Sequence, residues 1–198
     1  MSWETLENQI RECTDCPLHE TNLNRLVGQG NPEADFMLID YAPTGKDIYR
    51  KRLFQSKTGT WFLNLLADAG FRKGDLYMTT LLKCSYRESL PDPSCVDFCR
   101  EYLMRQIELV NPLVIITLGE TVLKALLPIK KKLSTVRGDE IKALDRIIIP
   151  TYHPSWVLSQ QKKLREDELY KDLWRAYETI YPPTKRTKRK KRIPLSYE

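Results

Sequence analysis

Four short apolar runs constrain this chain more than any other feature: Phe36-Met-Leu-Ile39, Leu76-Tyr-Met-Thr-Thr-Leu-Leu82, Leu113-Val-Ile-Ile-Thr117 and Arg146-Ile-Ile-Ile149. Each has the length of a strand and lacks the polar alternation of a half-exposed one, so each reads as a strand buried on both faces. Helical patterns separate them: Trp61 to Ala69 with Phe62, Leu65, Leu66 and Ala69 on one face, then Cys95 to Val110, then Glu120 to Leu127. A last helix is expected from Gln161 to Ile180, with Leu164, Leu169, Leu173, Trp174 and Tyr177 turned inward. This alternation predicts an α/β fold, a three-layer αβα sandwich around a central four-stranded parallel sheet. Ligands of such sheets bind outside the carboxyl ends of the strands. The loops after Ile39, Leu82, Thr117 and Pro150 are therefore the ones to inspect.

The 198 residues suffice for one domain, expected over 1–183. Pro182-Pro183 stops the last helix, and 184–198 reads as a basic tail too polar to bury. Lys185, Arg186, Lys188, Arg189, Lys190, Lys191 and Arg192 against Glu198 account for the whole net charge of +6, so the body is neutral. Such a tail suits either contact with phosphates or a solubilising or localising role. No apolar run reaches membrane-spanning length and the first residues lack a signal-peptide pattern, so a cytoplasmic, nucleoid-associated monomer with no membrane partner is expected.

Five cysteines in a reducing compartment argue against a disulfide framework. Cys13 and Cys16 form a CxxC pair, whereas Cys84 and Cys99 are widely split, with Cys95 one helical turn before Cys99. Zinc ribbons repeat a close pair, so the spacing matches zinc weakly; an iron–sulfur cluster tolerates scattered ligands better, and simple burial accounts equally for Cys84 and Cys99.

Read together, Val27-Gly-Gln-Gly30 leading into Phe36–Pro43, then Phe54, Gly59, Lys83-Cys84, Cys99, Gln106-Ile107, Pro112, Leu118-Gly119, Arg137-Gly138 and Pro150-Thr-Tyr-His-Pro-Ser-Trp-Val-Leu158 resemble the iron–sulfur uracil-DNA glycosylases of family 4. The ordered matches cover roughly residues 10 to 160. The resemblance implies a [4Fe–4S] cluster of structural purpose on Cys13, Cys16, Cys84 and Cys99, with Cys95 a bystander. It implies DNA as partner, with the base flipped out of a duplex or taken from a single strand, and Phe54 as the aromatic face on which that base stacks. Periodicity alone would make Phe54 a core residue. The resemblance likewise implies that His153, held in a turn by Pro154, donates to the base as negative charge develops on it. Arg137, Ser155 and Leu158 are expected to face DNA, with Leu158 or a neighbour filling the gap left by the extruded nucleotide.

Several positions depart from the family pattern. Tyr41 stands where the family has an acid, with Asp40 and Thr44 in place of the flanking glycines. A phenol with a reference pKa of about 10 is no carboxylate base, so Asp40 and Asp47 become the candidate catalytic acids. Thr80 replaces an asparagine that reads the edge of uracil, and a hydroxyl cannot supply that paired donor and acceptor. Gln55 and Ser56 add polar groups beside Phe54. Tyr41, Thr80, Phe54 and Gln55 thus form the expected base-binding set. The reading that follows is a DNA glycosylase removing a damaged or modified pyrimidine, such as a modified cytosine of phage DNA, in repair or phage defence. Two alternatives remain: a noncatalytic DNA-binding or lesion-sensing protein of the same fold, and a cluster-stabilised partner of the replication machinery docked by the tail.

Overall fold

A computed structural model describes residues 2–21, 24–86 and 91–182; the basic tail lies outside them. Among the described residues the strands form one six-stranded sheet. They are β1 (Gln29–Gly30), β2 (Phe36–Asp40), β3 (Leu76–Thr80), β4 (Val114–Leu118), β5 (Ile141–Ala143) and β6 (Arg146–Thr151). The order across the sheet is β1-β3-β2-β4-β6-β5. β3, β2, β4 and β6 run parallel, as the four apolar runs predict, while β1 and β5 add antiparallel edges. The expected four-stranded parallel sheet is therefore the centre of a mixed six-stranded one. The two additions are two and three residues long, too short to show a periodicity of their own.

The helices are α1 (Trp3–Glu12), α2 (Gly45–Arg50), α3 (Lys57–Asp68), α4 (Pro93–Val110), α5 (Glu120–Leu126), α6 (Leu133–Val136), α7 (Pro154–Ser159) and α8 (Lys163–Ile180). The stretch expected as one helix from Gln161 begins instead at Lys163, behind a separate short α7 that starts at Pro154. Pro154 occupies the first turn of α7, where its missing N–H costs nothing.

Side-chain alternation shows which helices cover which face. Thr79 on β3 donates through Oγ1 to Gln106 on α4 (3.0 Å), so the row Thr79–Ile39–Thr117–Pro150 faces α4. The next row, Thr80–Asp40 and Leu118–Thr151, points the other way. There Thr151 donates to Asp172 on α8 (2.6 Å). Thus α1, α4 and α5 lie together against one face, and α3, α7 and α8 against the other. Phe36, Leu38, Ile39, Met78, Ile115, Ile116 and Ile149 are fully buried between them. No described helix is long and apolar enough to cross a membrane.

Candidate functional site at the carboxyl ends of the strands

Asp40 closes β2 and His153 lies two residues beyond the end of β6, with β4 between the two strands. β4 ends at Leu118, and Gly119 then turns the chain away into α5 at φ +87°, a conformation that favours glycine. The Gly119 position, where an added Cβ would sit 3.4 Å from the His153 Cβ, leaves room for Asp40 and His153 to meet across the end of β4. His153 Nε2 lies 2.9 Å from Asp40 Oδ1. The same oxygen accepts from the Tyr41 N–H at 2.7 Å.

The other face of the ring is pinned by α7. The Ser155 N–H donates to His153 Nδ1 (3.2 Å), making His153 the N-cap of the helix, and the Ser155 hydroxyl lies 2.7 Å from the same nitrogen. With Nδ1 accepting a main-chain N–H, the neutral ring carries its proton on Nε2, facing Asp40. Burial pulls the imidazole pKa down, but the hydrogen bond and charge of Asp40 outweigh it and hold the value above that of an ordinary histidine.

The two candidate acids have different surroundings. Asp47 is buried, and both of its oxygens are committed. Oδ2 accepts from the Thr44 N–H (2.8 Å) and Thr44 hydroxyl (2.7 Å), closing a capping box on α2, and Oδ1 accepts from the Gln55 N–H (2.7 Å). Asp47 therefore holds the loop that carries Phe54, with both oxygens engaged in main-chain and Thr44 bonds. Asp40 is the acid that His153 touches.

Phe54 sits at φ +61°, in the left-handed region that a bulky residue rarely adopts. It is 7% exposed and packs against Phe62 on α3, ring centroids 5.4 Å apart. Gly59, in the first turn of α3, lies directly under its main chain. Two departures noted in the sequence have local structural causes: Thr44 caps α2, and Ser56 caps α3 by accepting from the Gly59 N–H at 3.0 Å. Gln55 spends its amide N–H on the Leu53 carbonyl (3.0 Å).

Tyr41 is half-buried, forms an edge-on pair with Tyr86 (5.7 Å) and rests against Leu82, Cys16, Cys95 and Cys99. Burial, with Tyr86 and Cys95 adding to it, raises its pKa and keeps the phenol protonated. Thr80 lies beside Asp40 in register on the same face, 1% exposed, with a hydroxyl that has no hydrogen-bond partner among the described residues.

The residues expected on DNA divide. Arg137 donates from Nε and Nη2 to the two oxygens of Asp172 (2.9 and 2.6 Å) and from Nη2 to the Glu168 carbonyl (2.6 Å). Its guanidinium is thus bonded within the protein, to α8, whereas the sequence reading expected it to face DNA. Ser155 is exposed but bonded to His153. In the segment after His153, Val157 is buried and Leu158 half-buried, and the exposed apolar side chain is Trp156, 39% exposed. Trp156 packs at a tilt against Tyr152, ring centroids 4.5 Å apart, with the Arg165 guanidinium over both rings. Sequence reasoning expected the segment Ser155-Trp156-Val157-Leu158 to face DNA without singling out Trp156, and it passed over Tyr86 and Arg165.

Cys16, Cys84, Cys95 and Cys99 are buried and Cys13 is half-buried. Among the described residues no three His, Cys, Asp or Glu side chains converge as a single metal ion would need. The thiols nonetheless share one neighbourhood. Burial pushes Cys84 up to about 12, with Cys99, Cys16 and Cys13 pushing the same way and Arg25 opposing them. Cys99 is likewise raised by burial, against a hydrogen bond from the Lys83 main-chain N–H. Arg25 also donates to the Cys13 carbonyl at 2.8 Å. Four soft thiols, with an N–H donor and a cation aimed at them, suit an anionic iron–sulfur group, whose ligands stand farther apart than those of one ion. Cys95 lies in the same neighbourhood, its thiol raised by burial, by a hydrogen bond with Cys16 and by the nearby Asp92 and Cys99.

The model of the uracil DNA glycosylase superfamily matches residues 27–178. A type-4 uracil-DNA glycosylase of Thermotoga maritima is 31% identical over 176 residues, 87% of this chain and 92% of that protein. One from Archaeoglobus fulgidus is 31% identical over 177 residues, 83% of this chain and 88% of that protein. A segment equal to 17% of the DNA polymerase of Bacillus phage SP01 is 30% identical over 158 residues, 79% of this chain. On these matches, which span the strand ends holding Asp40, Thr80 and His153, the chain belongs to the uracil-DNA glycosylase superfamily, among its type-4 members, DNA glycosylases that hydrolyse N-glycosyl bonds.

Proposed function

We propose that the protein hydrolyses the N-glycosidic bond of a base flipped out of DNA, and that this base is a modified pyrimidine rather than plain uracil. The observation that carries the reading is the contact of His153 Nε2 with Asp40 Oδ1 at 2.9 Å at the carboxyl ends of β2 and β6. It places a proton donor and a carboxylate side by side where this fold receives ligands. Phe54, held rigidly by Gly59 and Phe62, stacks the base. His153 stabilises the departing base, and Asp40 faces the cationic sugar and the attacking water. Altered specificity is supported by Thr80, whose short buried hydroxyl replaces a bidentate amide, and by the Tyr41–Tyr86 pair beside Asp40.

Cys13, Cys16, Cys84 and Cys99 hold a [4Fe–4S] cluster, which supplies a structural tie between the N-terminal segment and the loop after β3. The basic tail adds sequence-independent attraction to phosphates.

The test is a panel of duplex and single-stranded DNAs carrying uracil, deaminated purines and modified cytosines, scored for alkali-labile sites. Cleavage at a modified pyrimidine in preference to uracil is the expected result, and efficient removal of uracil overturns the altered specificity. A phenol in place of the family acid favours one other reading, a protein that binds DNA without cleaving it. Tight binding with no cleavage anywhere in the panel selects it.

A further inference from the structure

The sequence reading gives His153 the task of donating a hydrogen bond to the base, but in the structure that donor already faces a carboxylate. Asp40 Oδ1 takes both the Tyr41 N–H and the His153 Nε2 proton, while Oδ2 has no partner among the described residues. On its far side the ring is fixed by α7, where the Ser155 hydroxyl is placed to accept from Nδ1 once that nitrogen is protonated. In the neutral ring Nδ1 accepts the Ser155 N–H; protonating it gives up that bond for one to the Ser155 hydroxyl, so the imidazolium has an acceptor at each nitrogen at the cost of one helix cap. The groups around the ring are few. Asp40 comes from β2 and the uncharged Ser155 from α7, and Gly119 at the end of β4 lies near the His153 Cβ; among the described residues Asp40 is the only charged one that moves its titration.

We propose that Asp40 and His153 act as one carboxylate–imidazolium unit that protonates the leaving base as its glycosidic bond breaks, and that the substrate is accordingly a 4-aminopyrimidine, a base of the cytosine series. This rests on the glycosylase reading above and adds a substrate class to it. Uracil spreads the charge of departure over two carbonyls and can leave as an anion. A 4-aminopyrimidine has one carbonyl and needs a proton on it. The buried hydroxyl of Thr80, in register with Asp40, is a single short group able to accept from a 4-amino group.

The step balances. The C1′–N1 bond breaks and its electron pair goes to the base. The Nε2 proton, shared between Asp40 and the entering carbonyl oxygen, passes to that oxygen, so the base leaves neutral. Water forms the new bond to C1′ and gives a proton to Asp40 Oδ2. Return of that proton from Asp40 to His153 restores the pair. One water is consumed, and an abasic sugar and a neutral base are released.

The experiment compares single-turnover cleavage of matched pairs, cytosine against uracil and 5-hydroxymethylcytosine against 5-hydroxymethyluracil, from pH 5 to 9, in the wild type, Asp40→Asn and Asp40→Glu. NMR titration of the imidazole signals, assigned by loss in His153→Gln and in His19→Gln, follows the ring without requiring turnover. The cytosine-series member of a pair is cleaved faster. Its rate is flat in acid and falls tenfold per pH unit above the His153 midpoint, which lies above the ordinary value of about 6.5. Asp40→Asn keeps the acceptor oxygen without the charge, so it moves both the midpoint and the rate profile to lower pH and lowers the rate at pH 8 on the order of 10²-fold. Asp40→Glu restores part of both. A preference for the uracil series, a profile without an imidazole limb, or an Asp40→Asn profile that coincides with wild type overturns the proposal while leaving the glycosylase reading standing. Absence of cleavage on every member overturns both.

Discussion

Replacing Arg137 separates a structural role from a DNA contact, because the two readings predict opposite phenotypes. The Asp172 side chain is 2% exposed and accepts three hydrogen bonds, two of them from Arg137; the Arg137 side chain is 18% exposed and also spans to the Glu168 carbonyl and lies 5.3 Å over the Tyr152 ring. Arg137→Ala leaves a buried carboxylate with Thr151 as its remaining hydrogen-bond donor. Breaking a buried pair in this way costs about 3–5 kcal/mol, and for a chain of this length that lowers Tm by about 10 °C. The loss depends on pH. Burial raises the Asp172 pKa to about 6, ahead of the opposing pull of Thr151, Arg137 and the more weakly acting Arg175. A carboxyl raised in the fold penalises folding above that pKa, where it must be ionised, and the penalty fades as pH falls through it. Removal of Arg137 raises the pKa further, so the variant suffers most at pH 8 and least near pH 5. Urea melts at both pH values measure this, and Asp172→Asn in the Arg137→Ala background recovers part of the loss by removing the orphaned charge. An unchanged urea midpoint combined with weaker DNA binding would refute the argument and return Arg137 to the DNA surface.

Cys13→Ser and Cys99→Ser lose iron, sulfide and brown colour together with solubility, whereas Cys95→Ala keeps all of them; iron retention and unaltered melting in both serine variants reject the cluster assignment. Gly59→Ala puts a Cβ 2.6 Å from the Phe54 Cα, so it costs roughly 1–3 kcal/mol and slows base removal in single-turnover assays. Because alanine is otherwise the better helix residue by about 1 kcal/mol, a stabilised variant would show that Phe54 is not held from below. Truncation after Pro183 weakens binding to all DNAs alike and flattens the dependence of affinity on salt, measured by titration at several salt concentrations; unequal loss among base substrates contradicts it.

The centre of the fold was legible because a strand covered on both faces must be apolar throughout, and four such runs alternate with helical periods. The edges were not. β5 and β6 are joined through Leu144 and Asp145, both at positive φ (54° and 55°), so a tight turn is made without the glycine or asparagine that ordinarily announces one. The separation of α7 from α8 was half legible, since Pro154 marks a helix start while the break at Gln161, at φ +50°, again lacks a glycine.

In the site, Phe54 and His153 could be marked from motifs, but their surroundings required coordinates. Asp40 and Asp47 look equivalent in sequence, two acids flanking one loop. Only the hydrogen bonds show that one builds the loop and the other faces His153. The substitution of the family acid by Tyr41 with an acid one residue earlier is likewise not a simple displacement. β2 ends at Asp40, and Tyr41 lies in the bend that follows, where Leu81 and Leu82 donate to the Asp40 and Tyr41 carbonyls. Tyr41 packs toward the cysteines, and Asp40 toward His153 on the face shared with Thr80. An acid at position 41 and an acid at position 40 therefore meet different partners. Moving the carboxylate by one residue brings it into contact with the imidazole, and it is on that contact that the proposed paired chemistry rests.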